Sequence, residues 1–287
     1  MKELQDTGLG LAVISYDPPD ILEAFSKQRS ITFPLLSDAG SATIKRYGIF
    51  NTVADEAFGP NKDDPAVKAD IQKYVSAVGP NPRMVGMAFP GTFMVDRQGR
   101  VTARFFEDVY FERNTLSSLM LKLGPGEAPV AATKISTAHL DITAYTSDAA
   151  VAPGNRFALA ADIVPKPRMH VYAPGASSYR VVTLTVEQQP FIRMLPKRYP
   201  ASEIYFFAPL NERVPVYQKP FTLLQEVVLE GTAQAQAALK GTETITLAGT
   251  VEYQACDDKI CFNPASIPLS WTMTVRPLVR EPTIRPQ

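Results

Sequence analysis

At Gly124-Pro125-Gly126-Glu127-Ala128-Pro129 every hydrophobic periodicity in this 287-residue chain stops. Glycine admits backbone angles that other residues avoid, and proline fixes φ and removes an amide donor, so neither a helix nor a central strand runs through such a hexapeptide. The chain is therefore expected to divide here, and its length suffices for two units that each bury a core. Its 25 prolines exceed the usual share of about 5% and suit turns and strand ends better than long helices.

Before the break, the patterns alternate. Residues 9–16 form an apolar run of strand length, and Pro18-Pro19-Asp20 opens a helical pattern through Leu22 and Phe25 to about Arg29. Ile31 to Leu36 reads as a second short strand and Ser41 to Tyr47 as a short helix. Residues 51–88 read as a polar insertion with a helix near Val67 to Val75. Gly91 to Asp96, the turn Arg97-Gln98-Gly99 and Arg100 to Phe106 together predict a β-hairpin, and a helix from about Glu112 to Leu123 closes an α/β unit.

After the break, short alternating segments take over: His139 to Tyr145, Arg156 to Ile163, Val181 to Glu187, Phe221 to Leu229, Thr242 to Tyr253 and Ile267 to Val275. Such a series predicts an antiparallel β-sandwich, with Trp271 alternating toward its core. The expected fold class is α/β plus all-β, with domains at 1–124 and 135–287 and a linker at 125–134.

Composition removes several function classes. The formal charge is zero and is balanced on both sides of the break, so nothing reads as a nucleic-acid surface. No stretch reaches the ~18 apolar residues of a membrane span, and Met1 to Asp6 has no apolar signal core. His139 and His170 are too distant from each other and from the cysteines for a zinc-ligand spacing. Phosphate-cradling loops, nucleophile elbows and metalloprotease helices have no counterpart. The acid pairs Asp63-Asp64 and Asp257-Asp258 read as solvated turns, so neither metal nor cofactor is called for.

The two cysteines, Cys256 and Cys261, are the only thiols in the chain. Four residues with an acidic turn separate them in Tyr253-Gln254-Ala255-Cys256-Asp257-Asp258-Lys259-Ile260-Cys261-Phe262-Asn263-Pro264, so the pair could close a small ring across a bend. A reversible dithiol is what thiol-disulfide exchange requires. Asp257 and Asp258 disfavour a thiolate at Cys256, with Lys259 offsetting part of this, and the sign favours an electron donor over an oxidant. The competing reading is a structural staple, against which so small a ring argues, because it removes little chain entropy. His170 could tune a thiol or be an ordinary hydrogen-bonded side chain. Because a stable disulfide belongs in an oxidising compartment, a periplasmic or secreted location and a longer natural chain are expected.

Phe89-Pro90-Gly91-Thr92-Phe93-Met94-Val95-Asp96-Arg97-Gln98-Gly99-Arg100-Val101 resembles the Pro-x-Thr-Phe hairpin of thioredoxin-like proteins, particularly the AhpC/TSA (redoxin) branch. The similarity extends over residues 1 to about 124. The resemblance implies that Pro90 is a cis proline facing an active site; the plainer reading is a proline that opens a strand. The family's reactive cysteine lies upstream of the strand equivalent to 9–16, whereas here none precedes Cys256. This domain is therefore expected to lack redox chemistry of its own, either as a degenerate scaffold or as part of a longer chain. An upstream cysteine in such a chain would make a peroxiredoxin-like antioxidant protein the reading.

The second half resembles the N-terminal domain of the thiol:disulfide interchange protein DsbD. The resemblance rests on Val151 to Gly154 with Met169 to Gly175, on Tyr199 to Tyr205, and most specifically on Tyr253 to Pro264, where the framing Tyr-Gln-x-Cys and Cys-x-x-Pro fit and the intervening turn is one residue shorter than in some members. It implies an immunoglobulin-like sandwich that passes reducing equivalents to thiol/disulfide proteins of thioredoxin-like or DsbD type. Cys261 would be the exchanging sulfur and Cys256 the resolving one. Tyr172, Tyr199, Tyr253 and Phe262 would support or cap the pair, with a cap loop within Arg198 to Glu212. A third reading is a non-catalytic binding module with a structural disulfide.

Overall fold

The computed structural model describes residues 8–58, 62–65, 68–69, 71–72, 85–106, 112–123, 132–207 and 211–277. They fall into two compact units, one reaching Tyr110 and the other running from Phe111 to Val279. The expected helix near Val67 to Val75 lies largely outside the described residues.

The first unit contains β1 (Val13–Ser15), α1 (Pro19–Arg29), β2 (Leu35–Ser37), α2 (Ala42–Arg46), α3 (Thr52–Phe58), β3 (Gly91–Val95) and β4 (Val101–Phe106). Pro19 fits the first turn of α1, where the missing amide costs nothing, and Lys27 and Arg29 face the negative end of the helix dipole. Strands β1 and β2 pair in parallel, Val13 opposite Leu35. The carboxylate of Asp38 accepts the amides of Thr43 and Ile44 at 3.0 and 2.8 Å, which fixes the start of α2. The same bonds hold that carboxyl below its ordinary range.

Strands β3 and β4 form the predicted hairpin. Asp96 accepts the amides of Gln98 and Arg100, while Gly99 takes φ +80°, which a side chain would resist. No described peptide bond is cis, so the cis expectation at Pro90 is corrected. Pro90 sits in a trans peptide immediately before β3, where an absent amide breaks no ladder bond, and trans is the intrinsic preference of an X-Pro bond.

The second unit begins with β5 (Arg113–Asn114), α4 (Leu116–Leu123), β6 (Thr133–Ser136), β7 (Leu140–Thr146), β8 (Ala150–Val151), β9 (Asn155–Pro165) and β10 (His170–Tyr172). It continues through β11 (Thr183–Val186), β12 (Ile192–Met194), β13 (Glu203–Phe207), β14 (Glu212–Tyr217) and β15 (Phe221–Leu229). It ends with α5 (Ala233–Ala238), β16 (Thr244–Tyr253), β17 (Ala255–Cys256) and β18 (Ala265–Val275). All six strands expected after the break are present, and the helix expected at 112–123 is α4, preceded by the short strand β5.

Three sheets result: β12-β15-β9-β7-β6 with β5 beside β9, β11-β16-β18-β8, and β13-β14-β10-β17. Most pairings are antiparallel, but β5 with β9 and β8 with β18 are parallel. Phe157, Leu159 and Ile163 of β9, Leu223 and Val227 of β15, and Leu247, Val251, Trp271 and Met273 of β16 and β18 form one apolar cluster. Complete burial of such side chains contributes ~1.5–3 kcal/mol each. Trp271 also donates its indole N–H to the carbonyl of Ala160 at 3.1 Å, a bond from β18 to β9. Gly249 lies beneath this ring, where a Cβ would stand 2.3 Å from the carbonyl of Thr185 and 2.9 Å from the indole.

Helix α4, read from sequence with the first unit, is bound to the second. Arg113 and Asn114 pair with β9, and Lys122 joins Arg156 on the carboxylate of Glu226. Arg156 and Glu226 alternate away from Phe157 and Val227, so α4 covers the outer face of the six-stranded sheet.

Candidate functional site

The third sheet has two apolar faces, and strand alternation explains why. Val171, Tyr217 and Ala255 point into the main cluster, while Tyr172, Val214, Val216 and Cys256 point the other way and form a second cluster with Ala176, Tyr179 and Tyr205. Cys256 is thus built into a small core of its own, on β17 opposite His170 of β10.

Cys256 and Cys261 form a disulfide with Cα atoms 4.0 Å apart. The two sulfurs differ in access: Cys256 is 1% exposed, whereas Cys261 lies at the surface beside Ile260, itself 57% exposed. The Tyr172 hydroxyl lies 3.0 Å from the Cys256 sulfur and 3.3 Å from that of Cys261. Tyr179 stacks on Tyr172 with centroids 3.9 Å apart and donates its hydroxyl to Glu212 at 2.7 Å. Burial, followed by the neighbouring Tyr179 and Glu212, pushes the Tyr172 phenol well above its ordinary value. Tyr172 therefore remains a neutral hydrogen-bond donor beside both sulfurs.

The loop between the cysteines is tied by groups other than sulfur. Asp257 accepts the amides of Lys259 and Ile260, both at 2.7 Å, and these bonds hold its carboxyl below the usual range. Its own amide donates to the Ile260 carbonyl at 3.0 Å. Asp258 pairs with Arg168 at 2.7 Å, which likewise lowers its carboxyl. His170 is 3% exposed and stands against the rings of Tyr172 and Tyr205. Burial lowers its pKa, with Asp257 opposing in part, which favours the neutral imidazole.

Of the residues named from sequence, the structure brings Cys256, Cys261 and Tyr172 together. Tyr199 packs against the main apolar cluster instead. Tyr253 is buried in that cluster with its hydroxyl near Thr137 and His139, and Phe262 lies on the ring of His139 at 4.4 Å. These two anchor the strand ends leading into the cysteine loop: the Phe262 amide donates to Ala255. The segment expected as a cap loop is the hairpin β13–β14, with residues 208–210 outside the description, and it supplies Tyr205 and Glu212. Sequence reasoning missed Tyr179, Tyr205 and Glu212. Glu203-Ile204-Tyr205-Phe206-Phe207 has no polar/apolar alternation, and the apolar Ile204 and Phe206 are the residues left exposed, so no local signal marked Tyr205. Among the described residues no group of three metal-ligating side chains comes together and no helix is long and apolar enough to cross a membrane.

Residues 1–104 match the AhpC/TSA family. No curated protein matches the chain. Among solved structures, the N-terminal periplasmic domain of ScsB from Proteus mirabilis aligns at 14% identity and TM-score 0.33, covering 48% of this chain and 49% of that one. The N-terminal domain of Neisseria meningitidis DsbD in the reduced form aligns at 10% identity and TM-score 0.27, covering 40% of this chain and 80% of that one. The chain thus spans about half the length of the ScsB domain it matches.

Proposed function

We propose that this protein is a thiol-disulfide oxidoreductase whose Cys256/Cys261 pair exchanges electrons with thiol proteins of thioredoxin-like or DsbD type. One observation carries the reading: the disulfide joins a buried sulfur to an exposed one, with a neutral phenol in hydrogen-bond reach of both. Only Cys261 is open to an incoming group. In the reducing direction, the Cys261 thiolate attacks a partner disulfide, forming a mixed disulfide and releasing one partner thiolate. Cys256, deprotonated, then attacks the Cys261 sulfur and expels the second partner thiolate. The protein loses two electrons and two protons, and the partner gains them. Tyr172 donates to whichever sulfur carries charge.

In this reading the second unit is an immunoglobulin-like sandwich with the redox pair on its third sheet, and the first unit, which reaches Tyr110, is a scaffold without a thiol. The protein works in an oxidising compartment, the periplasm or outside the cell. The test is the equilibrium potential of the pair, by thiol trapping in a graded dithiothreitol series, with exchange against a thioredoxin-like substrate. A potential near −270 mV, the thioredoxin range, with exchange in seconds is expected. A potential below about −300 mV with no exchange over hours would make the disulfide a staple and the protein a binding module.

A further inference from the structure

We propose that Asp257 is a positioning residue of this site: its carboxylate keeps the Cys256–Cys261 loop in ring-closing geometry when the disulfide is open. The proposal assigns a role within the exchange reaction and rests on that reading for its biological use. Its physical content is independent of any partner.

Opening a disulfide removes a covalent constraint, and a loop with nothing else to hold it samples many conformers, which lowers the effective concentration of one thiol at the other. Here the remaining ties are numerous. One carboxylate oxygen of Asp257 accepts two successive amides, of Lys259 and Ile260, at 2.7 Å each. The backbone closes the same turn from Asp257 to Ile260, and beyond it Phe262 donates to Ala255 at 2.9 Å. Gln254 donates to the Phe262 carbonyl and accepts the Arg180 amide, both at 3.1 Å. None of these bonds involves sulfur. The turn therefore presents Cys261 to Cys256 in either redox state, and a mixed disulfide at Cys261 resolves quickly.

The acceptor and the charge of Asp257 can be separated. Asn at this position keeps a side-chain oxygen that accepts both amides in the same Asx turn, while Ala removes it; both remove the negative charge. The ratio of ring-closure rates between Asp257→Asn and Asp257→Ala therefore reports the turn alone.

Reduced protein mixed with 5,5′-dithiobis(2-nitrobenzoate) releases one thionitrobenzoate as the mixed disulfide forms and a second as Cys256 displaces it from Cys261. Stopped-flow absorbance resolves the two. We expect Asp257→Asn to close the ring at least as fast as wild type and Asp257→Ala to close it about tenfold more slowly, accumulating the mixed disulfide, with unchanged unfolding midpoints in urea. Equal closure rates for the two variants would overturn the proposal. Should Asp257→Ala fold poorly, Asp257→Leu, close to Asn in shape and without the acceptor, provides the same comparison with Asn. The reagent needs no protein partner, so a wild type that closes its ring yet exchanges with no thiol protein refutes the proposed function and leaves this inference standing.

Discussion

The two units use their apolar residues differently. In the first, Leu22, Ile44 and Met87 are the only buried hydrophobic side chains among the described residues, while Val13, Ile14, Leu36, Val95, Val101 and Phe106 are all about two-fifths exposed or more. A groove of about 500 Å3 lies between α1 and the β2 region, and β1 with β2 forms a two-stranded parallel sheet, an arrangement normally covered on both faces. In the second unit Phe157, Leu159, Ile163, Val227, Leu247 and Val251 are entirely buried. Among the described residues, burial on that scale occurs only in the unit that carries the cysteines. The family match at residues 1–104 and the disulfide thus lie in different parts of the chain, so a family match to one segment does not by itself say where chemistry would sit.

The sharpest break of this comparison is chemical. Cys261→Ser should abolish exchange, and Cys256→Ser should leave Cys261 able to form a mixed disulfide that is not resolved, which mass spectrometry would detect. Exchange surviving in a Cys256→Ser, Cys261→Ser double variant would place the activity elsewhere. Limited proteolysis tests the other half: the first unit should be cut about tenfold faster than the second, in line with its lower density of buried contacts. Equal rates would mean that its exposed strands are protected in solution.

Trp271→Ala should destabilise the second unit by about 3–5 kcal/mol, since it empties the centre of the main cluster and orphans the bond to Ala160. Urea unfolding of the intact chain, followed by tyrosine fluorescence, would show it, and a loss below about 1 kcal/mol would mean that the sheets close over the gap.

What the sequence disclosed follows the same division. Long strands with a clean period of two, such as Thr244–Tyr253 and Ala265–Val275, were legible because side chains on one face are more buried than those on the other along most of their length. So were the Asp96 hairpin, whose turn is local, and the cysteines, as the only thiols. Three-residue β10 and two-residue β17 carry no periodicity, yet they build the site, because His170, Tyr172 and Cys256 share a face only once distant segments pair. Tyr179 and Glu212 are joined across 33 positions, and no local signal exists for such a pair. Tyr199 was misplaced for a related reason: a half-buried tyrosine near a site in sequence has no means of announcing which of two apolar clusters it enters.

Smaller effects sharpen the electrostatics. His170 is held below its ordinary value of 6.5 by burial, so the unfolded chain binds a proton more readily than the folded one. Stability is then complete above pH 6.5 and falls as the pH drops below it, by at most about 1.4 kcal/mol per pH unit. His170→Phe should flatten that slope between pH 6.5 and about 5 in urea unfolding; an unchanged slope would show that the titrating group lies elsewhere.

Arg168→Ala should have the least effect, and the contrast with Asp257 makes it informative. Arg168 pairs with Asp258 on the same loop, but their side chains are 64% and 55% exposed, and ion pairs so open to water stabilise little because solvent screens them and two long side chains must be ordered. Arg168 also adopts φ +70°, a conformation that disfavours any side chain and that alanine tolerates no better. Asp257 instead fixes backbone amides directly. Ring closure in Arg168→Ala should therefore match wild type. If it slowed as much as in Asp257→Ala, the loop would be held from its rim and not by its own turn.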